Sequence, residues 1–186
     1  TASMCGIEKA GFEQDNAAME KAIRLDLMLH AYMFMQSGIP VLYSGDEIGQ
    51  VNDYTYKENP SKAADSRYIH RGQMNWELAE NIRDKETAEG KIFQSLDQLE
   101  KLRRNEKVFV TQAEAWTTHT GDQSVLCIGR YFEGEKILGV FNFSEFDKTV
   151  WLNEIDGEYV DMLSGETVKQ TELRVQGYGF YYFKKK

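Results

Sequence analysis

The chain has 186 residues, 41% of them hydrophobic and 12% aromatic, which is enough to build the core of one ordinary domain or two small ones. Its 22 basic and 30 acidic residues give a net charge of −8, which argues against a nucleic-acid or anionic-membrane partner, since both require a concentrated positive surface. Two distant cysteines, no secretory signal and no membrane-spanning run favour a cytoplasmic location.

The first predicted element is a helix over residues 15 to 37, with Asp15 or Asn16 as its N-cap and Gly38 as its stop. Its first half is amphipathic. Its second half, residues 25 to 35, is apolar on almost every face, which a surface helix of a small domain does not tolerate. We therefore expect protein on more than one side of this helix.

A short apolar run over residues 39 to 43 follows the helix and is typical of a β-strand buried on both faces. A helix followed at once by such a strand is half of a βαβ unit, whose strands are parallel. No other segment supplies a parallel neighbour, so residues 1 to 106 are predicted to be part of a larger sheet. Exposure of residues 39 to 43 would count against this interpretation.

A long polar segment without clear periodicity extends from residue 44 to residue 75, and connections of this length are usually functional or disordered. Residues 87 to 104 then place apolar side chains on one helical face, which predicts an amphipathic outer helix. The apolar positions are Ile92, Phe93, Leu96, Leu99 and Leu102.

After Lys107 the pattern changes to short β-rich runs separated by glycine-containing turns. This spacing predicts an antiparallel β-sandwich over residues 107 to 186, with a domain boundary between residues 106 and 107. The predicted strands are residues 113–118, 124–132, 136–143, 149–152, 159–163, 172–175 and 179–183.

Two sequence blocks resemble a known family: GIPVLYSGDEIG at residues 38 to 49 and DSRYIHRGQMNW at residues 65 to 76. Together they resemble the last barrel strand and the following loop of glycoside hydrolase family 13, the α-amylase superfamily. TASMCGIE at residues 1 to 8, NPSKAADSR at residues 59 to 67 and VFNFSEF at residues 140 to 146 are most similar to amylosucrase-like enzymes.

The resemblance implies the fold class: an α+β fragment that contains the C-terminal end of a (β/α)8 TIM barrel and an antiparallel β-sandwich. The barrel part comprises a helix, the last strand, a long loop and an outer helix. Such enzymes place their chemistry at the C-terminal ends of the barrel strands. The remainder of the catalytic barrel is then an expected partner, and exposed barrel faces are expected to drive oligomerisation.

The resemblance also implies an activity of the whole enzyme, namely retaining hydrolysis or glucosyl transfer at α-glucosidic bonds. The carbohydrate would be sucrose, a maltooligosaccharide or an α-glucan. Such enzymes use one carboxylate as nucleophile and a second as acid/base. In the family these carboxylates precede the helix that begins near Asp15, so we expect no catalytic residue in this chain and no activity of the chain alone.

Arg67 is the first candidate for sugar binding, because by resemblance it lies at the floor of the glucosyl subsite. A guanidinium can hold a carboxylate in a fork and also donate to sugar hydroxyls. Asp46, His70 and Arg71 lie in the same blocks, and Tyr54 offers a flat ring that suits stacking on a pyranose. The structural alternative for all five is that they anchor the loop, for example through backbone N–H groups or a salt bridge.

Asn52 and Asp53 offer oxygen ligands of the kind that calcium prefers, but no second acidic cluster accompanies them. We therefore expect no metal and no cofactor.

The alternative function is a non-catalytic carbohydrate-binding or interaction module built on the β-sandwich. Its aromatic residues could form a sugar-binding face, although aromatic residues at strand spacing are more often core or cross-strand pairs. They are Trp116, Tyr131, Trp151, Tyr159, Tyr178, Tyr181 and Tyr182.

Overall fold

The structure, a computed structural model, describes residues 1 to 186. The chain forms two compact units, one from residues 1–26 and 41–95 and the other from residues 27–40 and 96–186. The helices are α1 (Ala2–Cys5), α2 (Ile7–Glu13), α3 (Asn16–Met35), α4 (Trp76–Ala79) and α5 (Ala88–Asn105). The strands are β1 (Glu114–Thr118), β2 (Val125–Phe132), β3 (Glu135–Asn142), β4 (Lys148–Trp151), β5 (Tyr159–Asp161), β6 (Thr167–Val168), β7 (Glu172–Val175) and β8 (Phe180–Lys185).

The first unit contains α1, α2, the start of α3 and the long polar segment. Helix α3 is capped as the sequence predicts, because the Asp15 carboxylate accepts the backbone N–H of Ala18 at 2.9 Å. The segment contains 3-10 turns at Asp46–Ile48, Thr55–Glu58 and Ser66–His70 in place of longer regular elements.

The second unit is built on a six-stranded sheet of order β1-β2-β3-β8-β5-β6 and a two-stranded sheet of β4 and β7. Every strand pair is antiparallel, as the sequence predicts. One face of the large sheet packs with the small sheet around an apolar core that includes Cys127, Val140, Val150 and Val175. Alternation along the strands directs the neighbouring side chains to the opposite face.

The opposite face of the large sheet is covered by the C-terminal half of α3. The ring of Tyr32 packs edge-on against that of Phe141, and the Tyr182 hydroxyl donates to the carbonyl of Ala31. Met28, Ala31 and Met35 are fully buried. This packing explains the all-round apolar character of the second half of α3.

The predicted strand over residues 39 to 43 is wrong for this chain. The segment has no strand pairing, and the exposed fractions of Ile39, Val41 and Tyr43 are 90%, 75% and 56%. A parallel strand needs parallel neighbours to satisfy its backbone, and the chain contains only antiparallel pairs. The extended apolar run is therefore left without hydrogen-bonding partners from a sheet.

The other differences concern short elements, since helices α1, α2 and α4 were not predicted. Helix α3 ends at Met35 rather than residue 37, and β6 has only two residues and was not predicted. The two cysteines are free and buried, and burial raises the pKa of both thiols to about 12. No helix is both long enough and apolar enough to span a bilayer. The boundary between residues 106 and 107 differs from the division into compact units and stays a prediction.

Candidate functional site

The predicted sugar loop begins with a tight 3-10 turn, Asp46–Ile48, flanked by Gly45 and Gly49. Both glycines have positive φ, and a Cβ on Gly49 would lie 2.6 Å from Cδ1 of Ile92. Ile48 is buried. Close packing therefore fixes this turn and the two carboxylates that it carries.

The carboxylates of Asp46 and Glu47 accept backbone N–H groups of the turn itself. Asp46 accepts from Tyr43 at 3.3 Å and lies 3.2 Å from the backbone nitrogen of Thr1, and Glu47 accepts from Gly45 at 2.8 Å. This arrangement corresponds to the anchoring alternative for Asp46. An anchored carboxylate can still accept a sugar hydroxyl, since it has two oxygens with several lone pairs.

The two arms of the loop are joined by Gln50, which the sequence analysis did not single out. Its side-chain amide donates to the carbonyl of Gln73 at 3.1 Å, and its oxygen accepts the backbone N–H of Asn75 at 3.0 Å. A third link is the backbone bond from Asp53 to Ile69 at 2.9 Å. The only sequence signal for this arrangement is the high content of polar residues.

Asp46 and His70 line the same small recess in the first unit. Tyr43, Asn52 and Ser3 also contribute to its wall, and its volume is about 50 Å³. His70 Nδ1 lies 3.1 Å from Oδ1 of Asn52, whose own N–H donates to the Ser3 hydroxyl. The recess has room for a few water molecules, whereas pockets that enclose small organic ligands start at about 300 Å³. These residues can therefore form only part of a sugar site.

Arg67 lies outside this recess, in the 3-10 turn Ser66–His70. Its side chain is 73% exposed and forms a bidentate pair with Asp65, with both N–O distances at 2.8 Å. The hydrogen bond from Arg67 lowers the pKa of Asp65 to about 2. Within this chain the guanidinium thus takes the loop-anchoring arrangement, and its sugar contact stays a prediction.

Arg71 and Tyr54 are also outside the recess. The Arg71 guanidinium lies 5.6 Å from the ring centre of Tyr68, and the ammonium of Lys62 lies 5.3 Å from the same ring. Tyr54 is half exposed and precedes the turn Thr55–Glu58. The structure therefore brings Asp46 and His70 together and leaves the other three candidates apart.

The Asn52–Asp53 pair is used by the loop itself. The Asp53 carboxylate accepts the N–H and the hydroxyl of Thr55 at 2.9 Å and 2.6 Å, and these bonds lower its pKa. No group of three or more His, Cys, Asp or Glu side chains is arranged to hold a metal ion.

A scan against models of known protein families finds no match for this chain. Solved structures do match its fold. The structure of AmyP in complex with maltose is 15% identical, with a TM-score of 0.66 over 88% of this chain and 35% of that chain. The maltogenic amylase from S. marinus is 20% identical, with a TM-score of 0.60 over 87% of this chain and 19% of that chain.

A variant of the trehalulose synthase MutB, solved in complex with Tris, is 16% identical and gives a TM-score of 0.61 over 87% of this chain and 38% of that chain. The chain thus spans between about a fifth and two fifths of the length of these enzymes. Identities this low show the fold alone. The predicted fold class, α+β with an antiparallel sheet as in the C-terminal part of such enzymes, is confirmed.

Proposed function

We propose that this chain is the C-terminal portion of an α-amylase-family enzyme that acts on α-glucosidic bonds. The enzyme would hydrolyse sucrose or an α-glucan with retention, or transfer a glucosyl unit from it, and would resemble amylosucrase-like enzymes. Its catalytic carboxylates would lie in the part of the barrel that precedes Thr1. A cytoplasmic location stays a prediction from the sequence.

The observation that carries the proposal is the fold match over almost nine tenths of this chain, against one to two fifths of each enzyme. AmyP is crystallised with maltose, which supports a carbohydrate as the partner of the whole protein. The exposed run at residues 39 to 43 also fits, because a barrel strand lacking its neighbours leaves apolar side chains in water. The sequence interpretation takes exposure of this run as evidence against the barrel, so the proposal depends on neighbouring strands outside residues 1 to 186.

Within this proposal, Asp46 and His70 form the part of the sugar site that this chain supplies at the recess. Arg67 would exchange its Asp65 contact for a carboxylate from an earlier barrel loop and would reach the glucosyl unit. Arg71 and Tyr54 would line the approach of the carbohydrate. Each role requires wall residues from the rest of the barrel, which is consistent with a recess of only about 50 Å³.

The chain itself should show no turnover of sucrose or maltooligosaccharides. Turnover by the purified chain that disappears in Arg67→Ala would contradict the proposal, because the reacting carboxylates would then be present here. The second test is the genomic reading frame upstream of Thr1. An in-frame sequence that encodes the earlier barrel strands would support the proposal, and a start codon directly before Thr1 would contradict it.

The second candidate is a carbohydrate-binding module built on the β-sandwich. It is favoured by the exposure of two of the aromatic side chains in the predicted face, 52% for Trp151 and 43% for Tyr131. Tyr159 and Tyr182 are fully buried and belong to the core. Calorimetric titration of the chain with maltotriose distinguishes the candidates: heat that is lost in Trp151→Ala favours the module, and no heat favours the enzyme portion.

A further inference from the structure

Helix α3 ends at Met35, and its last carbonyl groups have no partner within the helix. The last four carbonyls of any helix are left without intrahelical donors, and the partial negative charge of the helix dipole accumulates there. The chain then passes through residues 36 to 38 and continues into the exposed run at residues 39 to 43. Gln36 donates to the carbonyls of Tyr32 and Met33, and two arginines from distant parts of the sequence supply donors to those of Phe34 and Met35.

Arg103, on helix α5, bonds three alternate carbonyls at this end. Its guanidinium donates to the carbonyls of Phe34 and Gln36, the latter at 3.0 Å, and to that of Gly38 at 2.5 Å. Gly38 has φ of 102°, a left-handed conformation that suits the residue ending a helix. One planar side chain therefore holds the last turn of α3 and the turn that follows it.

Arg130, on strand β2, holds the same region from the sheet. It is 1% exposed, and it donates to the Met35 carbonyl at 3.2 Å and to the Ser37 hydroxyl at 3.1 Å. Its Nε also donates to the carbonyl of Val108 at 2.7 Å. This buried cation thus donates to two carbonyls and a hydroxyl. It also makes a longer bond to the carbonyl of Val110.

Neither guanidinium forms an ion pair with a carboxylate. Both lie near the ring of Phe109, at 5.0 Å for Arg103 and 5.4 Å for Arg130. Burial lowers the pKa of both, and the charge of Arg103 lowers that of Arg130 further. Two like charges with no anionic partner are costly in a protein interior, so the negative end of helix α3 is the charge that compensates them.

We propose that Arg103 and Arg130 are positioning residues that fix the end of helix α3 and the turn through Gly38. They thereby set the direction in which the chain leaves the helix at Gly38. The importance of this direction for sugar chemistry rests on the function proposed above. The role of the two arginines in fixing the turn does not rest on that function, because it follows from hydrogen bonds within one compact unit.

The test measures local backbone mobility by 15N relaxation on the 186-residue chain. All samples carry Val41→Asp. This substitution lies at an exposed position and is expected to reduce self-association. Arg103→Gln is compared with Arg104→Gln, the next residue on the same helix, which is exposed and loses the same charge. Arg130→Met is a second variant, and Arg103 is the primary one because it is only half buried and its removal is less disruptive.

In Arg103→Gln we expect the order parameters of residues 37 to 39 to fall below about 0.6, the range of flexible backbone, with no change in the middle of α3. Arg104→Gln should leave them unchanged, and Arg103→Lys, which keeps a cationic donor, should retain most of the order. Unchanged order parameters in Arg103→Gln would refute the proposal. Loosening along the whole of α3, or equal loosening in Arg103→Lys and Arg103→Gln, would show a general structural role and would also refute it.

This measurement contains no carbohydrate, so its failure is separate from a failure of the proposed function. If the turn depends on Arg103 but the reading frame encodes no earlier barrel strands, the proposed function falls and the positioning role remains. If the barrel strands are encoded and the turn does not respond, the proposed function remains and the positioning role is refuted.

Discussion

The Tyr182 hydroxyl donates to the backbone carbonyl of Ala31 at a distance of 2.5 Å, although 151 residues separate the two in the sequence. Tyr182 is fully buried in β8, and Ala31 is fully buried in the second half of α3. The contact therefore joins the six-stranded sheet to the helix within one compact unit. Burial raises the pKa of the Tyr182 hydroxyl far above its ordinary value, so this group stays a donor at all ordinary pH values.

Tyr182→Phe should lower the free energy of unfolding by about 1 kcal/mol, the usual net value of one hydrogen bond. The loss is modest because the Ala31 carbonyl lies inside a helix and keeps its intrahelical donor. Urea denaturation at neutral pH measures the change. Tyr181→Phe is the matched control, since its hydroxyl makes a 3.3 Å bond to the carbonyl of Arg174 at an exposed position. An equal loss in both variants would contradict the role given to the Ala31 contact.

Gly129→Ala should destabilise the sheet, because Gly129 lies opposite Trp116 in the pairing of β1 and β2. A Cβ there would fall 2.2 Å from two ring atoms of Trp116, and the ring is held by a 3.2 Å bond from its Nε1 to Glu154. Overpacking of this kind costs about 1 to 3 kcal/mol. Urea denaturation followed by tryptophan fluorescence measures it.

Gly157→Ala is the control for that substitution, because the nearest atom to its added Cβ is Cε of Lys185 at an ordinary 3.8 Å. It should change the free energy of unfolding by less than about 0.5 kcal/mol. A Gly129→Ala chain as stable as the Gly157→Ala chain would mean that the Trp116 ring moves aside freely.

Elements that depend on neighbouring residues can be predicted from the sequence. Elements that depend on distant parts of the chain cannot. The cap at Asp15 and most strands are set by nearby residues, and they appear close to the expected positions. Residues 39 to 43 have the composition of a buried strand, but a strand forms only with a neighbour, and this chain provides none in parallel. Strand β6 has two residues, too few for any periodicity to be visible.

For the candidate site, the sequence identifies the loop but not its internal contacts. Asp46 and His70 share a recess because the two arms of the loop are joined through Gln50, a contact across 23 and 25 residues that no local pattern reveals. Asp65 lies only two residues from Arg67, so this pairing could have been predicted from the sequence.

Gln50→Glu should loosen the loop of residues 44 to 75 at neutral pH. The carboxylate can still accept the N–H of Asn75, but it cannot donate to the carbonyl of Gln73, and it leaves two acceptors facing each other. We expect a loss of about 1 kcal/mol in the free energy of unfolding. The loss should shrink below about pH 4, where a protonated glutamate can donate again.

Gln73→Glu is the control for this change, because only the backbone carbonyl of Gln73 takes part in the contact and its side chain is exposed. It adds the same charge on the other arm of the loop. If both substitutions reduce the free energy of unfolding equally, the effect is one of charge alone and the link through Gln50 has no special role.

Asp156 should titrate at an unusually low pH. Hydrogen bonds from Lys185 and from the Tyr159 hydroxyl, both at 2.8 Å, lower its pKa to about 2. Because the folded pKa lies below the ordinary value of about 3.9, ionised Asp156 contributes stability above about pH 4, and this contribution is lost as the pH falls toward 2. The carboxylate is half exposed, so the effect on stability is small and the titration itself is the measurement.

Carboxyl 13C NMR follows this titration directly. Lys185→Met should raise the midpoint for Asp156 toward the ordinary value, since the Lys185 bond is the largest cause of the shift, while the Tyr159 bond keeps part of it. A midpoint near 4 in the unmodified chain would contradict the geometry around Asp156.

Val41→Asp and Ile39→Asp should reduce self-association of the chain. Their side chains are 75% and 90% exposed in an extended segment whose backbone has no sheet partner, and such a segment invites pairing with another copy. Because both side chains are already in water, the substitutions should leave the free energy of unfolding of the monomer unchanged within about 0.5 kcal/mol. Sedimentation velocity over a concentration series measures association.

Phe146→Asp is the control, since Phe146 is 68% exposed but lies in the turn before β4. A chain that stays monomeric at all concentrations would contradict this prediction, and so would an equal effect of Phe146→Asp.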